Sequence, residues 1–287
     1  MNGIININKP SGMTSAAVVG KVKWILGTKA VGHMGTLDPQ GEGVLLIGVG
    51  KGTRLFDYLL KKDKVYEADF CFGYETDTLD GDGKVIKSTE IVPSLQELNE
   101  KAASLLGKIW QMPPNYSAKS VGGVRAYKLA REGKEVDLKP AEVEIFDINI
   151  TQINDTTYKF IIACSSGTYI RSICRDIAYA CHSLATMTAI KRLKSGKYLI
   201  KNSINLNELE NLKEHAIESL DITLSNLAKY ELNIAQKKQL DNGMTIALTH
   251  LNKTPDCQEF LVYCDNILYG IATQFDNYFK LKTYLKA

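Results

Sequence analysis

The sequence contains no long hydrophobic run. Nowhere in its 287 residues does an uninterrupted apolar stretch approach the roughly 18 residues that a membrane-spanning helix needs. Met1-Asn2-Gly3 leads directly into strand-like sequence, so the basic and apolar regions of a signal peptide are missing as well. We therefore expect a cytoplasmic protein without a membrane span.

Recognisable metal-binding spacings are also missing. None of the six cysteines belongs to a C-x-x-C pair, and the sequence has no H-x-x-x-H pair. Cys174 and Cys181 lie close to His182 in the sequence, which leaves a metal clip conceivable. Reduced, buried thiols are the favoured interpretation in a cytoplasmic chain. We expect a protein that works without a metal.

Two loops fail to match the ligand-binding motifs that they resemble. Residues 48–53 break the G-x-G-x-x-G pattern at its last position, and Leu45 stands where a Walker loop needs glycine. Residues 77–83 have the wrong carboxylate spacing for a calcium loop and lack its final glutamate. Neither segment predicts a nucleotide or calcium site, and residues 77–83 are interpreted as a turn.

Charge is distributed unevenly, although the net charge is only +3. Residues 1–64 carry a balance of +5, residues 65–107 one of −6 and residues 108–139 one of +4. Basic segments separated by an acidic one suit a protein with one phosphate-facing side, whereas an ordinary solvated surface is the alternative. The apolar fraction of 45% is typical of a globular protein with a hydrophobic core.

Strand and helix patterns alternate without regular βαβ units. Alternating or continuous apolar residues predict strands at residues 3–8, 44–49, 65–72, 142–153, 156–164 and 187–193. Helical spacing and capping residues predict helices at residues 15–26, 53–62, 95–106, 126–131 and 166–181. Short strand patterns recur in the last 58 residues. The sequence therefore predicts an α+β fold with a small β appendage.

The most informative segment is Gly32-His33-Met34-Gly35-Thr36-Leu37-Asp38-Pro39. Its glycines permit close approach of the backbone to a ligand, and its proline fixes the exit from the turn. A single carboxylate on such a loop can act as a nucleophile or a general base. Alternatively, Asp38 only caps its own backbone in a turn.

A second candidate lies at Ser165-Ser166-Gly167-Thr168-Tyr169-Ile170-Arg171. Arg171 stands in the first turn of an expected helix, where backbone N–H groups also favour anions. Its guanidinium could hold a carboxylate through two hydrogen bonds and keep that carboxylate ionised. A surface arginine without a function is the ordinary alternative.

Five short segments of this chain follow one another in a characteristic order. They are residues 8–15 (Asn-Lys-Pro-Ser-Gly-Met-Thr-Ser), residues 32–39 with Gly43-Val44-Leu45, Lys64-Val65-Tyr66, Pro113-Pro114-Asn115-Tyr116-Ser117-Ala118, and residues 166–171. In this order they resemble the TruB family of tRNA pseudouridine synthases. The resemblance runs from residue 4 to about residue 200 and ends in Ile190-Lys191-Arg192-Leu193-Lys194-Ser195-Gly196.

The resemblance implies conversion of uridine to pseudouridine in the T-loop of tRNA, at tRNA position 55. It implies a mixed, largely antiparallel central sheet flanked by helices. The family's catalytic aspartate falls on Asp38, its strand tyrosine on Tyr66 and its arginine on Arg171. The reaction involves no redox change or group transfer, so we expect no cofactor. The carboxylate can add to the sugar or the base, or stabilise positive charge at the sugar carbon.

Further site residues are implied by the same resemblance. Tyr66 suits stacking on a flipped base or relaying a proton, although core packing is the usual role of such a tyrosine. Tyr169 would pack beside the Arg171–Asp38 pair, and Leu193 would line the pocket.

The expected RNA contacts lie in the basic parts of the chain. The basic residues 108–139 would clamp the T-arm of the tRNA through Tyr116, Arg125, Tyr127 and Lys128. Lys9 would meet phosphate or brace the pocket. His33 would contact RNA or brace its own loop.

The domain prediction separates a catalytic domain at residues 1–229, with residues 108–139 as an insertion, from an RNA-binding appendage at residues 230–287. The appendage resembles a PUA domain only weakly, because its charge balance is zero and its positive charge gathers at residues 280–286. Gln40-Gly41-Glu42 replaces the small or apolar residues usual after the Asp-Pro pair. Transfer RNA is the expected partner, and a monomer is expected.

Two other functions compete with the isomerase. A non-catalytic RNA-binding module would use the same basic face, but it would need no carboxylate in a phosphate-facing loop. A glycosidase-like hydrolase would break the nucleoside bond without rejoining it, and would release free uracil.

Overall fold

The computed structural model describes residues 1–117, 120–121, 124–125, 138–251, 255 and 257–286. Within these residues the fold is α+β, as the sequence predicts. The helices are α1 Ser15–Leu26, α2 Phe56–Leu60, α3 Leu95–Ala103, α4 Ile170–Ala180, α5 Leu206–Leu212, α6 Leu220–Thr223 and α7 Ile234–Asp241. Short 3₁₀ turns occupy Gly50–Leu55, Ile200–Asn202, Lys213–Ala216 and Leu248–His250.

The strands occur along the whole described chain. The first eleven are β1 Gly3–Lys9, β2 Val31–His33, β3 Glu42–Val49, β4 Lys64–Phe72, β5 Tyr74–Thr76, β6 Val85–Ser88, β7 Gly107–Gln111, β8 Ser120–Val121, β9 Val124–Arg125, β10 Ala141–Gln152 and β11 Thr157–Cys164. The others are β12 Ala185–Ser195, β13 Tyr198–Leu199, β14 Glu218–Ser219, β15 Lys229–Glu231, β16 Ile246–Ala247, β17 Glu259–Cys264, β18 Ile267–Phe275 and β19 Tyr278–Tyr284.

Ten of these strands form one central sheet in the described part of the chain. Its main path runs β14-β1-β3-β12-β4-β11-β10-β7, while β2 pairs with β3 and β13 with β12. The β3–β12 pair is parallel and the other described pairs of this sheet are antiparallel. The sheet is therefore mixed and largely antiparallel, and β12 brings the loop before β3 close to the start of β4.

Helix α1 packs on the part of the sheet that contains β1 and β3. The Thr14 side chain accepts a hydrogen bond from the Ala17 N–H at its start, and Gly27 ends it at a φ of +62°. Val18 and Val22 are fully buried against the apolar residues of these strands. Local capping and apolar spacing thus define this helix as predicted.

Helices α3 and α4 pack with the strands β4, β11 and β12 in a second core. Phe70 and Phe160 stack within it at a ring-centroid distance of 4.2 Å. Helix α4 begins at Ile170, later than the predicted start at residue 166. The preceding turn is closed by the Thr168 hydroxyl, which donates to the Ser165 carbonyl oxygen at 3.0 Å. Arg171 therefore lies in the first turn of the helix.

The C-terminal residues form a second sheet of five strands in the order β15-β17-β18-β19-β16. It shares an apolar cluster with the first part of the chain, in which Leu261 and Leu285 lie with Leu55 and Leu59. Helix α7, which the sequence analysis did not predict, begins with a capping box at Asn233. The appendage is therefore β-rich and firmly packed.

Among the described residues, no helix is long and apolar enough to span a membrane. The helix predicted at residues 126–131 lies outside the described residues.

Candidate active site

Asp38 lies on the loop that connects β2 to β3. Gly35 in this loop has a φ of +101°, a left-handed value that disfavours any other residue. Gly43 has a φ of +96°, and a Cβ atom there would stand 2.3 Å from the Arg192 carbonyl oxygen of β12. Both glycines are therefore needed, one to turn the loop and one to let β3 approach β12.

The Asp38 loop is held from the side of β1 and α1. The Ser15 hydroxyl donates to the Leu37 carbonyl oxygen at 3.0 Å, and the Leu37 N–H donates to the same hydroxyl at 2.9 Å. Lys9 Nζ donates to the carbonyl oxygens of Pro39 and Pro10 at 2.9 Å each. The residues on both sides of Asp38 are thus fixed to the first strand and helix.

Lys9 is an internal brace rather than an exposed phosphate ligand. Its residue is 0% exposed, and its ammonium group also donates to the Met13 carbonyl oxygen. Burial lowers the pKa of Lys9 to about 8, although the carboxylates of Glu42 and Asp38 oppose this shift. Of the two roles expected for Lys9, the geometry supports bracing and contradicts RNA contact, because the saturated ammonium does not reach the surface.

Arg171 joins the Asp38 loop to helix α4. Its Nη2 lies 3.1 Å from Asp38 Oδ2 and donates to the Tyr116 carbonyl oxygen at 3.0 Å. The Arg171 side chain is 7% exposed, so this ion pair forms largely out of contact with water. The structure therefore brings the two predicted residues together, and the ordinary surface arginine is excluded.

Asp80 is the second carboxylate on Arg171, and the sequence analysis missed it. Arg171 Nη1 lies 3.1 Å from Asp80 Oδ2 and donates to the Thr78 carbonyl oxygen at 3.0 Å. The neighbouring Leu79 has a φ of +63°, a strained value for a non-glycine residue. The acidic segment interpreted as a turn is indeed a turn, but one that aims a carboxylate and a carbonyl at Arg171.

The pKa of Asp38 is raised above its usual value. Burial is the main cause, the positive charge of Arg171 opposes it, and the negative charges of Asp80 and Asp82 add to it. The side chain remains 41% exposed, so burial here reflects a concave site crowded by protein atoms rather than complete enclosure. The ionised form of Asp38 is therefore accessible to a ligand but energetically unfavourable, which is typical of a reactive group.

Tyr66 lies in the middle of the central sheet. On β4 it pairs with Arg192 of β12 on one side and Ile162 of β11 on the other. Its half-buried ring packs against two of the apolar clusters of the sheet. Burial raises the pKa of its hydroxyl, Arg192 lowers it, and Asp38 contributes to raising it. Tyr66 and Asp38 are thus close enough to influence each other electrostatically.

A cavity of about 410 Å³ opens beside Asp38. This volume falls in the range of roughly 300–1,000 Å³ that small-molecule pockets occupy. Ile190 and Gly41 line it together with one lysine, Lys191, and several carboxylates besides Asp38: Glu42, Glu67, Asp69, Asp80 and Asp82. Such a cavity suits an uncharged nucleobase better than a phosphate group.

Leu193 is half-buried on β12, and its expected place in the pocket stays a prediction. Leu193 is the extra residue of a β-bulge between Arg192 and Lys194, because Arg192 pairs with Tyr66 and Lys194 with the adjacent Val65. Met187, Ala189 and Ile190 are the apolar residues of this strand that line the cavity. The sequence gives no clear signal of the bulge.

Gln111 fixes the start of α4 and was also missed by the sequence analysis. It is 1% exposed, accepts a hydrogen bond from the Tyr169 N–H at 2.8 Å and donates to the Tyr169 carbonyl oxygen at 3.2 Å. Tyr169 therefore lies two residues before Arg171, at the start of α4, with a half-buried side chain. Its expected packing role stays a prediction.

The other predicted RNA contacts are placed only in part. Tyr116 is half-buried and reaches Arg171 through its carbonyl oxygen, which is a main-chain role that the sequence does not reveal. His33 is half-buried on β2, and burial lowers its pKa, so it is neutral at pH 7. Arg125 is described only as part of β9, while Tyr127 and Lys128 lie outside the described residues.

Comparison with known sequences identifies relatives along almost the whole chain. The profile described as TruB family pseudouridylate synthase (N terminal domain) matches residues 23–170. The chain is 41% identical over 289 residues to tRNA pseudouridine synthase B of Clostridium novyi (strain NT), covering 99% of this chain and 100% of that protein. It is 39% identical to the protein of the same name from Clostridium kluyveri, covering 98% of each.

Comparison with solved structures identifies the same fold in larger assemblies. A chain of a Cbf5-Nop10-Gar1 complex gives a TM-score of 0.73 at 23% identity, covering 98% of this chain and 79% of that chain. A chain of an H/ACA RNP bound to a substrate RNA containing 2′-deoxyuridine gives a TM-score of 0.72 at 21% identity, covering 99% and 85%. At this identity the likeness concerns the fold.

Proposed function

Because the chain belongs to the TruB family of pseudouridine synthases, we propose that it isomerises uridine to pseudouridine at position 55 in the T-loop of tRNA. The observation that carries this proposal is the contact of 3.1 Å between Arg171 Nη2 and Asp38 Oδ2. These residues come from distant parts of the sequence and meet beside a cavity of nucleoside size.

The proposed reaction breaks one bond and forms another within a single nucleotide. The bond between uracil N1 and the sugar C1′ breaks, the uracil turns, and its C5 joins C1′. The proton on C5 leaves, and N1 gains one, so substrate and product have the same composition. No electrons are exchanged with an external group.

We assign the central role to Asp38. Its carboxylate either adds covalently to the sugar or base or stabilises positive charge at C1′. Arg171 keeps it ionised and oriented, and Asp80 holds the other side of the same guanidinium. Tyr66 stacks on the extruded uracil and carries a proton.

The target base must leave the stacked T-loop before it reaches Asp38. We propose that the acidic walls of the cavity accept the uracil and keep the backbone phosphates at the rim. Basic side chains outside the cavity then hold the phosphates, those of residues 108–139 among them.

The end of the chain contributes Lys286 to a second basic surface, and we propose that residues 230–287 are a PUA-like RNA-binding domain. Lys286 lies beside Lys51 and Arg54 of the 3₁₀ turn Gly50–Leu55, since both Arg54 and Lys286 act on the Lys51 charge. Arg54 Nη1 also donates to the Tyr284 carbonyl oxygen at 2.7 Å, which joins the two parts. These three side chains suit a phosphate backbone that crosses the junction.

We further propose that the protein acts on tRNA in the cytoplasm as a monomer. Asp38, Tyr66 and Arg171 all come from one chain, so the assigned site needs no residue from a second copy.

The test uses unmodified tRNA carrying tritium at uracil C5 and carbon label in the uracil ring. The isomerase releases tritium to water while the carbon label stays in the RNA. A hydrolase would instead release labelled uracil, and a binding module would release neither label.

A tRNA with uridine 55 replaced by cytidine is the substrate control. Tritium release from that control at the wild-type rate would overturn the assigned position. No release from the normal substrate by stoichiometric folded enzyme would overturn the isomerase itself.

A further inference from the structure

A second buried arginine, Arg192, lies beneath the site and has no role so far. It stands on β12 directly opposite Tyr66 of β4 and is 2% exposed. Its Nε donates to the Val44 carbonyl oxygen at 2.7 Å, which fixes the guanidinium against β3. Arg192 is therefore held between the strand that follows the Asp38 loop and the strand that carries Tyr66.

The contacts of Arg192 differ from those of Arg171. Its buried Nη2 atom has no hydrogen-bond partner, and its positive charge acts on the Tyr66 hydroxyl across the strand pair. No ion pair links Arg192 to a carboxylate in the described part of the chain, whereas Arg171 has two. Burying a guanidinium without a counter-ion is costly, so a purely structural role would be served better by an apolar side chain.

The charge of Arg192 lowers the pKa of Lys9, His33 and Lys64 as well as that of Tyr66, but of these groups only Tyr66 lies directly opposite it in the sheet. The groups that act on the Tyr66 hydroxyl are Arg192 from β12, Cys164 from β11 and Asp38 from its loop. Burial and the last two disfavour a negative charge on the phenol oxygen. Arg192 is the one of the three that favours it, because its charge is positive.

We propose that Arg192 is a positioning residue that orients the Tyr66 hydroxyl and supports its oxygen during proton transfer. The proposal rests on the proposed isomerase function. The Tyr66 oxygen accepts the proton that leaves uracil C5 as its own proton passes to water, so Tyr66 ends each cycle unchanged. Arg192 donates to that oxygen throughout, and never contacts the substrate.

The first test is a double-mutant cycle on the rate of tritium release in single turnover. Arg192→Met keeps an unbranched apolar side chain and removes the charge and the donors. We expect it to slow release by about 10²-fold, the lower end of general acid–base effects, with tRNA affinity unchanged. In a Tyr66→Phe background the same substitution should change the rate by less than about twofold, since it acts through the lost hydroxyl.

If Arg192→Met slows tritium release by the same factor in the wild type and in Tyr66→Phe, the proposal is overturned. Arg192→Lys keeps the charge and one donor, and should recover part of the rate lost in Arg192→Met. If Arg192→Met does not fold, the same cycle is measured with Arg192→Lys and Arg192→Gln. We then expect the glutamine variant to release tritium more slowly than the lysine variant. Equal rates for those two would contradict the proposal.

A second readout needs no substrate. The difference between the ultraviolet titrations of the wild type and Tyr66→Phe isolates ionisation of Tyr66. Arg192→Met should move this transition to higher pH or abolish it below the pH of unfolding, and an unchanged transition would refute the contact. Failure of the wild type to release tritium would instead refute the isomerase, leaving this titration as a separate result.

Discussion

The Asp38 site and the junction with the C-terminal sheet arrange charge in opposite ways. Around Asp38 the cations are buried: Lys9 is 0% and Arg171 6% exposed, and both are held by carbonyl or carboxylate oxygens. At the junction, Lys51, Arg54 and Lys286 lie together at the surface. Partial desolvation, followed by the charges of Arg54 and Lys286, lowers the pKa of Lys51.

The difference suits the role that we propose for each region. A reacting carboxylate needs fixed partners in a place where water does not screen them, because electrostatic interactions are stronger there. A polyanion is bound by several exposed cations whose mutual repulsion is relieved when phosphates arrive. Substitutions at Asp38 and Arg171 should therefore change the rate of reaction, and substitutions at the junction should change affinity.

The largest expected effect is that of Asp38→Asn. Tritium release should fall by more than about 10³-fold, since the amide can neither attack nor carry the charge. Affinity for tRNA should stay within about tenfold, because phosphate contacts dominate binding. Single-turnover release and filter binding measure the two quantities, and normal turnover would disprove the assignment.

The thermal stability of Asp38→Asn is a control for which the direction of the change can be predicted. The folded-state pKa of Asp38 is raised, so its stabilising contribution is present at low pH and is lost as pH rises through that pKa. At pH 7 the ionised carboxylate therefore opposes folding. Asp38→Asn should leave Tm unchanged or higher, and a fall in Tm would show that the activity loss reflects damage to the fold.

Arg171→Met should have the next largest effect. It removes the partner of Asp38 and Asp80 and leaves two carboxylates facing each other, so we expect a loss of rate of about 10²-fold. Tm should fall as well, in contrast to Asp38→Asn. Arg175→Met, one turn along the same helix, is the matched control, because Arg175 pairs with Asp176 instead. Equal losses in the two arginine variants would refute a specific role for Arg171.

Asp80→Asn should change the pH dependence more than the maximal rate. Asp80 contributes to raising the pKa of Asp38, so its removal should move the acid limb of the pH–rate profile to lower pH. Asp82→Asn should shift it in the same direction by less, since Asp82 is the weaker of the two influences on Asp38. A shift to higher pH in Asp80→Asn would contradict this electrostatic arrangement.

The smallest effect on rate should come from the junction. Replacing Lys51 and Lys286 by alanine should weaken tRNA binding and reduce the salt dependence of log Kd by roughly one to two units of slope. The rate at saturating tRNA should stay the same. Lys201→Ala with Lys213→Ala, two exposed lysines elsewhere, serves as the charge-matched control. Equal salt slopes for the two double variants would show that the junction is not part of the RNA-binding surface.

Much of the fold could be predicted because its signals are local. Alternation in β4 and β11, the Thr14 cap and the Gly27 stop of α1 each depend on a few neighbouring residues. The β-rich C-terminal part was predicted from similar patterns, while the capping box that starts α7 at Asn233 was overlooked.

The errors share a different origin. The β-bulge at Leu193, between Arg192 and Lys194, cannot be recognised in the motif that contains it. The role of Asp80 depends on a strained turn that meets a helix about ninety residues later in the chain. Lysine is a common phosphate ligand, yet the carbonyl oxygens of Pro10 and Pro39 hold the Lys9 ammonium inside the protein. In each case the deciding contact is long-range and leaves no regular spacing in the sequence.

The sequence by itself determined the elements, the family and the residue types that the chemistry needs, because periodicity, capping and ordered motifs are written in neighbouring residues. Only the tertiary structure decided that Asp38 meets Arg171, that Asp80 shares this arginine, and that Arg192 faces Tyr66. The physical reason is the order of strands in the sheet. Placing β12 between β3 and β4 brings distant segments within hydrogen-bonding distance, and that arrangement is a property of the packed chain.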